Sequence, residues 1–401
     1  MFLTNKYTDF FATLLVMTIL GIETSCDETA AGIVSIDDFN VCTLYANAVL
    51  TSMDLHIAYG GVVPEIAARE HIRSINPVIK QAFDDASMTW DDIDAIAVTY
   101  GAGLGGSLLV GVLTARTLAI VKNKPLYAIN HVEAHVYANF LTKLSPSLQG
   151  QTLQAYVLPT SAPAFPMLAL IVSGGHSQLV LFRDHFDYTL LGQTQDDAIG
   201  EAFDKVAKML GLPYPGGPSV AKLALQGNAH AFSLPKSKMS GVSPALTKLR
   251  KSYPLSPNAR PQSYDYSFSG LKTAVLRHAQ AACGKDFTFP STQLPGSLSE
   301  AQKADIAAVF QRIAIETVVD KTMQAFEEFR PASVVIGGGV SASPELRRQL
   351  TERLPIAPHY TDPKLSTDNG AMIASLGAFK AQMGTTPADP YTLDIAPNLS
   401  M

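Results

Sequence analysis

Apolar residues in this chain fall into short runs that end at polar, glycine-rich turns, and the arrangement occurs twice. In the first half, Ile19-Leu-Gly-Ile22 enters the turn Glu23-Thr-Ser-Cys-Asp-Glu-Thr29 and leaves through Ala30-Ala-Gly-Ile-Val34. In the second, Leu168-Ala-Leu-Ile-Val172 enters Ser173-Gly-Gly-His-Ser177 and leaves through Gln178-Leu-Val-Leu-Phe182. Short apolar runs bounded by turn residues predict buried strands. Two such hairpins, each with small and hydroxyl-bearing turn residues, predict a duplicated α/β fold whose turns face each other across a cleft. Backbone N–H groups and hydroxyls in such turns can hold a phosphate.

Other elements follow the same logic. Val41–Leu50, Ile93–Thr99 and Ala332–Ile336 predict further strands. Pro64–Ala86 has helical periodicity with Pro64 in its first turn, and Lys303–Arg330 predicts a long amphipathic helix. Gly337-Gly-Gly-Val-Ser341 leads to a helix ending at Arg353, and Ser366-Thr-Asp-Asn-Gly-Ala371 opens a last helix with Asp368 near its start. Two segments break the pattern. Leu144–Pro166 is rich in Ser, Pro, Gln and Thr and predicts a loop. Ala231–Gln262 carries Lys236, Lys238, Lys248, Arg250, Lys251 and Arg260 without an acidic residue, as a solvated surface loop or a flexible basic arm for RNA phosphates.

At 401 residues the chain can bury a large core in two lobes. Its 47% hydrophobic and 16% charged content exclude a disordered chain. A net charge of −5 does not advertise a nucleic-acid binder, though a local basic surface would suffice for one. Cys26, Cys42 and Cys283 form no metal or disulfide pattern, which points to a reducing, cytoplasmic setting. The apolar run Phe10–Ile22 is too short to span a bilayer. It reads directly into the first strand, so Met17 is a plausible natural start and residues 1–16 an extension.

The central chemical feature is Asn130-His131-Val-Glu133-Ala-His135. Histidines four apart share a helix face and can grip one divalent metal. Glu133 lies roughly 200° around the helix from His131, so a zinc-peptidase base is missing and a third ligand must come from elsewhere. Gly101-Ala-Gly103-Leu-Gly-Gly106 matches G-x-G-x-x-G after a strand. Val121–Asn130 contains no acidic residue for a dinucleotide ribose, so the glycines serve close packing or line the cleft. Ile171-Val-Ser-Gly-Gly175 and Gly337–Ser341 read as walls of a nucleotide pocket, and Asp204 as an acceptor for ligand hydroxyls. Glu201 and Lys205 read as a surface pair. His176 reads as a turn residue. Asp27 and Glu28 would repel phosphate, and so read as groups that orient water, metal or an amine.

Taken in order, these motifs resemble one family, the universal tRNA N6-adenosine threonylcarbamoyltransferases of the bacterial TsaD type. The resemblance is carried by Gly21-Ile-Glu-Thr-Ser-Cys-Asp-Glu-Thr29, Tyr59-Gly-Gly-Val-Val-Pro-Glu65, His131-x-Glu-x-His135 and Val172-Ser-Gly-Gly-His176. It continues through Gly200-Glu-Ala-Phe-Asp-Lys205, Tyr214-Pro-Gly-Gly-Pro218, Ser267-Phe-Ser-Gly-Leu-Lys-Thr273 and Ser366-Thr-Asp-Asn-Gly-Ala371. It implies the two-lobed ASKHA architecture of actin, Hsp70 and sugar kinases. The expected division is a first lobe over 17–130, on which a helix over 369–385 packs back, a second lobe over 131–368 with insertions at 144–166 and 231–262, and a tail over 386–401. It also implies one divalent metal, iron ahead of zinc, held by His131, His135 and Asp368. The substrate pocket would comprise Ile171, Val172, Ser173, Gly174, Gly175, Asp204, Gly217 and Ser343, where the family usually has asparagine at Ser343. Asp27 or Glu28 is the candidate for taking a proton from the acceptor amine. The implied substrates are tRNA and threonylcarbamoyl-AMP, and the implied partners are an inert TsaB-type paralogue, docking on Glu65–Ala86, and a TsaE-type ATPase, with no membrane. An ASKHA kinase or ATPase, or a scaffold subunit, are the alternative readings.

Overall fold

The computed structural model describes residues 16–149, 156–237, 239–256 and 262–401. Two mixed sheets form its frame. The first contains β1 (Met17–Glu23), β2 (Glu28–Ile36), β3 (Cys42–Thr51), β4 (Ala95–Gly101), β5 (Leu126–Asn130) and β6 (Leu141–Leu144). The second contains β7 (Met167–Val172), β8 (Ser177–Asp184), β9 (Asp187–Gln193), β10 (Ser333–Gly337) and β11 (His359–Tyr360). The orders are β5-β4-β1-β2-β3-β6 and β11-β10-β7-β8-β9. In each, an antiparallel meander is extended on one side by two parallel strands. This repeated order is the duplicated core that the twin hairpins predicted, in the ASKHA architecture that the resemblance implied. β6 joins the first sheet beside β3, so the first lobe draws a strand from beyond residue 130.

The longer helices are α1 (Pro64–Ala86), α2 (Gly105–Lys122), α3 (His131–Tyr137), α4 (Ile199–Leu210), α5 (Gly216–Ala224), α6 (Pro244–Ser252), α7 (Ser269–Ala282), α8 (Glu300–Phe329), α9 (Pro344–Arg353) and α10 (Gly370–Gln382). Apolar faces of α1 and α2 close the outer side of the first sheet, and α4, α7 and α8 close the outer side of the second. A third core lies between the sheets and is built from both, with α3 and α10 inside it. α10 follows the second sheet in sequence yet lies on β1 and β2 of the first. Small residues permit that approach. A Cβ on Gly32 would stand 2.3 Å from Ala371 N, and one on Gly21 2.3 Å from Ala374 N. Among the described residues, α2 alone has the length and apolar composition to cross a bilayer. Here it packs on β4 and α1.

The basic segment is partly a folded element. Arg250 on α6 turns inward and clamps Glu328 through Nε (2.5 Å) and Nη2 (2.8 Å). Lys236 pairs with Glu316 and Asp320, each at 2.8 Å. A flexible arm with all six cations facing RNA is therefore corrected. The acidic partners come from α8, far along the chain, where a local charge count does not reach. Lys248 and Lys251 remain exposed, and Lys238 and Arg260 fall outside the described residues. The expected loop over 144–166 includes a short helix, Pro146–Gln149.

Candidate metal centre and substrate pocket

Two helices begin at the seam between the sheets, and each begins on an asparagine. Asn130 ends β5, and its side-chain oxygen accepts from Val132 N at 2.9 Å and Glu133 N at 3.4 Å. Asn369 accepts from Met372 N at 2.9 Å. Such caps satisfy N–H groups that the first helical turn leaves free, and they fix where the helix starts. His131 thus occupies the first position of α3, His135 follows one turn later, and Asp368 stands just outside α10.

These three side chains converge. Asp368 Oδ1 lies 3.6 Å from His131 Nε2 and 3.4 Å from His135 Nε2, and the three prospective ligand atoms all lie within 4.8 Å of one another. Ligands about 2.1 Å from a tetrahedral ion sit roughly 3.4 Å apart, close to the separation of Asp368 Oδ1 from each imidazole. Neither buried ring nitrogen of His135 has a well-formed hydrogen bond, Nε2 only approaching Asp368 Oδ1 at 3.4 Å. A buried imidazole left without a partner and aimed at a carboxylate fits a cation between them.

The other nitrogen of His131 is held from behind. Its Nδ1 lies 3.1 Å from Glu23 Oε2 and 3.1 Å from Ser25 Oγ. Glu23 is fully buried at the end of β1, where Oε2 accepts from Thr99 Oγ1 at 2.5 Å and Oε1 accepts from Ser25 N. A carboxylate on Nδ1–H directs the Nε2 lone pair toward Asp368. The field that would draw a metal also draws protons. Burial opposes charge on His131, but Asp368 and Glu23 lift its pKa to about 9. Burial alone would raise Asp368, yet His131 and His135 pull it to about 2. Glu133 is buried on another side of α3, where burial raises it to about 7 against the pull of Lys380, and it takes no part in the cluster.

The glycine turn adjoins this centre. Ile171 and Val172 end β7 in the core. Ser173 N donates to His176 O at 2.8 Å, and Ser173 Oγ accepts from His176 N at 3.1 Å, closing the turn. His176 is a turn residue, as expected. Its ring lies 6.1 Å from that of His131, and burial together with the neighbouring histidines lowers it to about 4. Gly174 and Gly175 are exposed, with nothing within 4 Å of a would-be Cβ. Gly200, by contrast, brings α4 against the turn, since a Cβ there would stand 2.6 Å from Ser173 O. Gly338, at φ +85°, passes beneath Val172 O, and Gly337 abuts the His135 carbonyl. Metal helix and glycine walls are therefore in contact. Asp204 on α4 accepts from Gly216 N at 2.7 Å, next to Gly217, whose Cα faces open space. Ser343 caps α9, its Oγ accepting from Leu346 N at 3.4 Å, so the hydroxyl is engaged by its own helix.

Asp27 lies in the β1–β2 turn, and Glu28 is the first residue of β2. Burial, then Asp368 and Asp27, push Glu28 up to about 10, which disfavours its charged form. Sequence reasoning passed over Glu23, Ser25 and Thr99. The available signal was a carboxylate continuing an apolar strand, Ile19-Leu-Gly-Ile-Glu23, which burial makes costly unless it has a partner.

The family model of the tRNA N6-adenosine threonylcarbamoyltransferase, TsaD, matches residues 43–375. A relative with that enzyme's name from Thermomicrobium roseum is 45% identical over 92% of this chain and 93% of its own. Another from Desulfitobacterium hafniense is 42% identical over 96% and 97%. Among solved structures, component A of the Acidaminococcus fermentans (R)-2-hydroxyglutaryl-CoA dehydratase is 15% identical, with TM-score 0.44 over 92% of this chain and 99% of that one. YeaZ from Pseudomonas aeruginosa is 13% identical, with TM-score 0.26 over 43% and 63%. Strand order, rather than these distant likenesses, establishes the fold. With a matching family model and relatives aligned over nearly their whole length, the chain belongs to the tRNA N6-adenosine threonylcarbamoyltransferase family.

Proposed function

We infer that the chain transfers the threonylcarbamoyl group of threonylcarbamoyl-AMP to N6 of the adenosine 3′ of the anticodon in tRNAs reading codons that begin with A, releasing AMP. The observation that carries this is the convergence of His131, His135 and Asp368 at the lobe seam beside an open glycine turn. Two imidazoles and one carboxylate suit iron ahead of zinc. The bound ion would supply Lewis acidity to the threonylcarbamoyl oxygens.

The donor is a mixed anhydride and is already activated. N6 attacks the carbamoyl carbon, the C–O bond to the AMP phosphate breaks, AMP leaves with that electron pair, and N6 gives up a proton. The site must align these groups and steady the charge that develops. Ile171 to Gly175 would cradle AMP, with Gly174 and Gly175 leaving their backbone open to the phosphate. Asp204, with one oxygen engaged by Gly216 N, has the other for a ribose hydroxyl, and Gly217 leaves room beside it. Ser343, committed to its cap, would act on the adenylate only through water. Asp27 is assigned as acceptor of the N6 proton from its place in the turn beside the metal centre, since burial and the neighbouring carboxylates disfavour charge on Glu28.

The reading extends to partners and place. An inert TsaB-type paralogue would dock on α1 and α2, whose outer faces expose Ile72, Leu109 and Leu113. A TsaE-type ATPase would complete the assembly in the cytoplasm, with no membrane involved. The test is incubation of the chain and those partners with tRNA and threonylcarbamoyl-AMP, followed by mass spectrometry of the digested tRNA. Threonylcarbamoyladenosine matched by released AMP is expected. Unmodified tRNA, together with phosphate release from ATP by the chain alone, would favour the kinase or ATPase reading.

A further inference from the structure

Two histidines outside the metal cluster are fully buried, His56 and His71. His71 stands against the turn that carries Asp27, His56 reaches that turn through Ser52, and neither has a role in the reading above. His71, on α1, places Nε2 3.0 Å from Cys26 O and Nδ1 2.8 Å from Thr29 Oγ1. A carbonyl can only accept, so Nε2 carries the proton and Nδ1 accepts from the threonine hydroxyl. His56 Nδ1 accepts from Val63 N at 3.2 Å, which puts its proton on Nε2, 3.1 Å from Ser52 Oγ. Ser52 in turn donates its hydroxyl (2.9 Å) and its N–H (3.1 Å) to Asp27 O. Each tautomer follows from the partners alone, and the two networks agree. The carbonyls on either side of the Asp27 amide and Cα are thus pinned from two directions, and Ser107 Oγ adds a second donor to Cys26 O at 3.2 Å.

We propose that His71 is a positioning residue, which with the Ser52–His56 pair clamps the Cys26–Asp27 backbone and so aims the Asp27 carboxylate at the acceptor amine. This rests on the assignment of Asp27 as proton acceptor. Burial lowers the His71 pKa, which keeps the ring in the neutral form with a single N–H that the clamp requires. A structural histidine would be as well served by any buried group of similar volume. The clamp needs a donor at the position of Nε2.

Glutamine and asparagine separate the two. A glutamine amide reaches where Nε2 stands and can donate to Cys26 O, whereas asparagine reaches only where Nδ1 stands. Full-length His71→Gln, His71→Asn and Asp27→Asn are compared with the unmodified chain in single-turnover transfer with its partner proteins, alongside metal content and thermal melts. His71→Asn is expected to lose about 100-fold in kcat, the scale of a 1 Å misplacement, with KM for tRNA and adenylate and metal content unchanged, and His71→Gln to recover most of that loss. Equal activity of the two variants overturns the clamp, as does a loss confined to KM or explained by metal content or melting. If either His71 variant fails to fold, Ser52→Ala, which removes one donor to Asp27 O, must itself lower kcat with KM unchanged, or the clamp is rejected. Full activity of Asp27→Asn would remove the proton-acceptor assignment and the clamp with it. Loss in Asp27→Asn with an unaffected His71→Asn removes the clamp alone.

Discussion

Replacing Glu23 with glutamine is the sharpest test of the metal centre, because it changes no ligand. The carboxylate is fully buried, and its two oxygens accept from three donors: Ser25 N on Oε1, and Thr99 Oγ1 and His131 Nδ1 on Oε2. Glutamine offers one oxygen and one NH2. With the oxygen toward Ser25, the NH2 confronts His131, which must move its proton to Nε2 and so places hydrogen on the atom aimed at Asp368. With the oxygen toward His131, the NH2 confronts Ser25 N–H, and that buried donor loses its partner at a cost of about 1–3 kcal/mol. Both orientations weaken the site. Partners of ligating histidines govern affinity by typically 10–100-fold, or roughly 1.4–2.7 kcal/mol. Chelator-competition titration of Glu23→Gln with Fe²⁺ and Zn²⁺ should find that loss while the far-ultraviolet spectrum stays native. Affinity unchanged within about twofold, where Asp368→Ala loses binding altogether, would refute the claim that Glu23 sets the His131 tautomer.

Three further expectations follow from the packing and charge. Gly32→Ala drives a Cβ to 2.3 Å from Ala371 N, which is backbone and cannot rotate aside. Overpacking of this kind costs about 1–3 kcal/mol, so Tm and metal affinity should fall together as α10 moves and carries Asp368 with it. In tRNA filter-binding across salt concentrations, Lys248→Gln with Lys251→Gln should flatten the slope by roughly 0.7–0.9 per lost phosphate contact, and Lys236→Gln should leave it unchanged because Glu316 and Asp320 already neutralise that charge. Burial holds His185 at about 4 in the fold, against an ordinary value of 6.5. The unfolded chain therefore binds more protons between those values, and stability falls as pH drops from about 6.5 toward 4. Melts across that window should flatten in His185→Phe, a ring that keeps the stacking on Phe379.

The hydropathy pattern disclosed the strands, the turn glycines and the repeat because each is a local property: strands buried on both faces are apolar throughout, and a tight turn needs small residues. Pro64–Ala86 forms α1 with the bounds read from periodicity. The His131/His135 pair was legible as helical spacing, but its third ligand was not. Asp368 is 233 residues beyond His135, and only the family resemblance linked them. Glu23, the clamp through His71 and the inward turn of Arg250 stayed hidden for the same reason. Each is polar in a stretch that sequence reads as surface or turn, and its partner lies on an element brought near only by the tertiary fold. The Gly101–Gly106 run was legible as well: with no acidic residue following it, its glycines read as close packing or cleft lining, and a Cβ on Gly101 would strike Ala396 O at 2.1 Å and one on Gly103 Ser25 O at 2.7 Å. They admit the C-terminal tail and the β1–β2 turn.

Why the candidate cation site lies at the seam follows from the duplication itself. β5 and β11 hold equivalent places at the same end of the two sheets. The connections that follow them carry the ligands: β5 runs directly into α3 with His131 and His135, and β11 leads through Asp368 into α10. Both helices abandon the outer layers and enter the core between the sheets, where they pack on each other. The prospective ligands are therefore brought together where α3, leaving β5, meets the start of α10, which lies on β1 and β2 of the same sheet. A kinase of this architecture needs Mg²⁺ held by oxygens and phosphates. Two buried imidazoles, one oriented by its own carboxylate, are a donor set suited to a different ion.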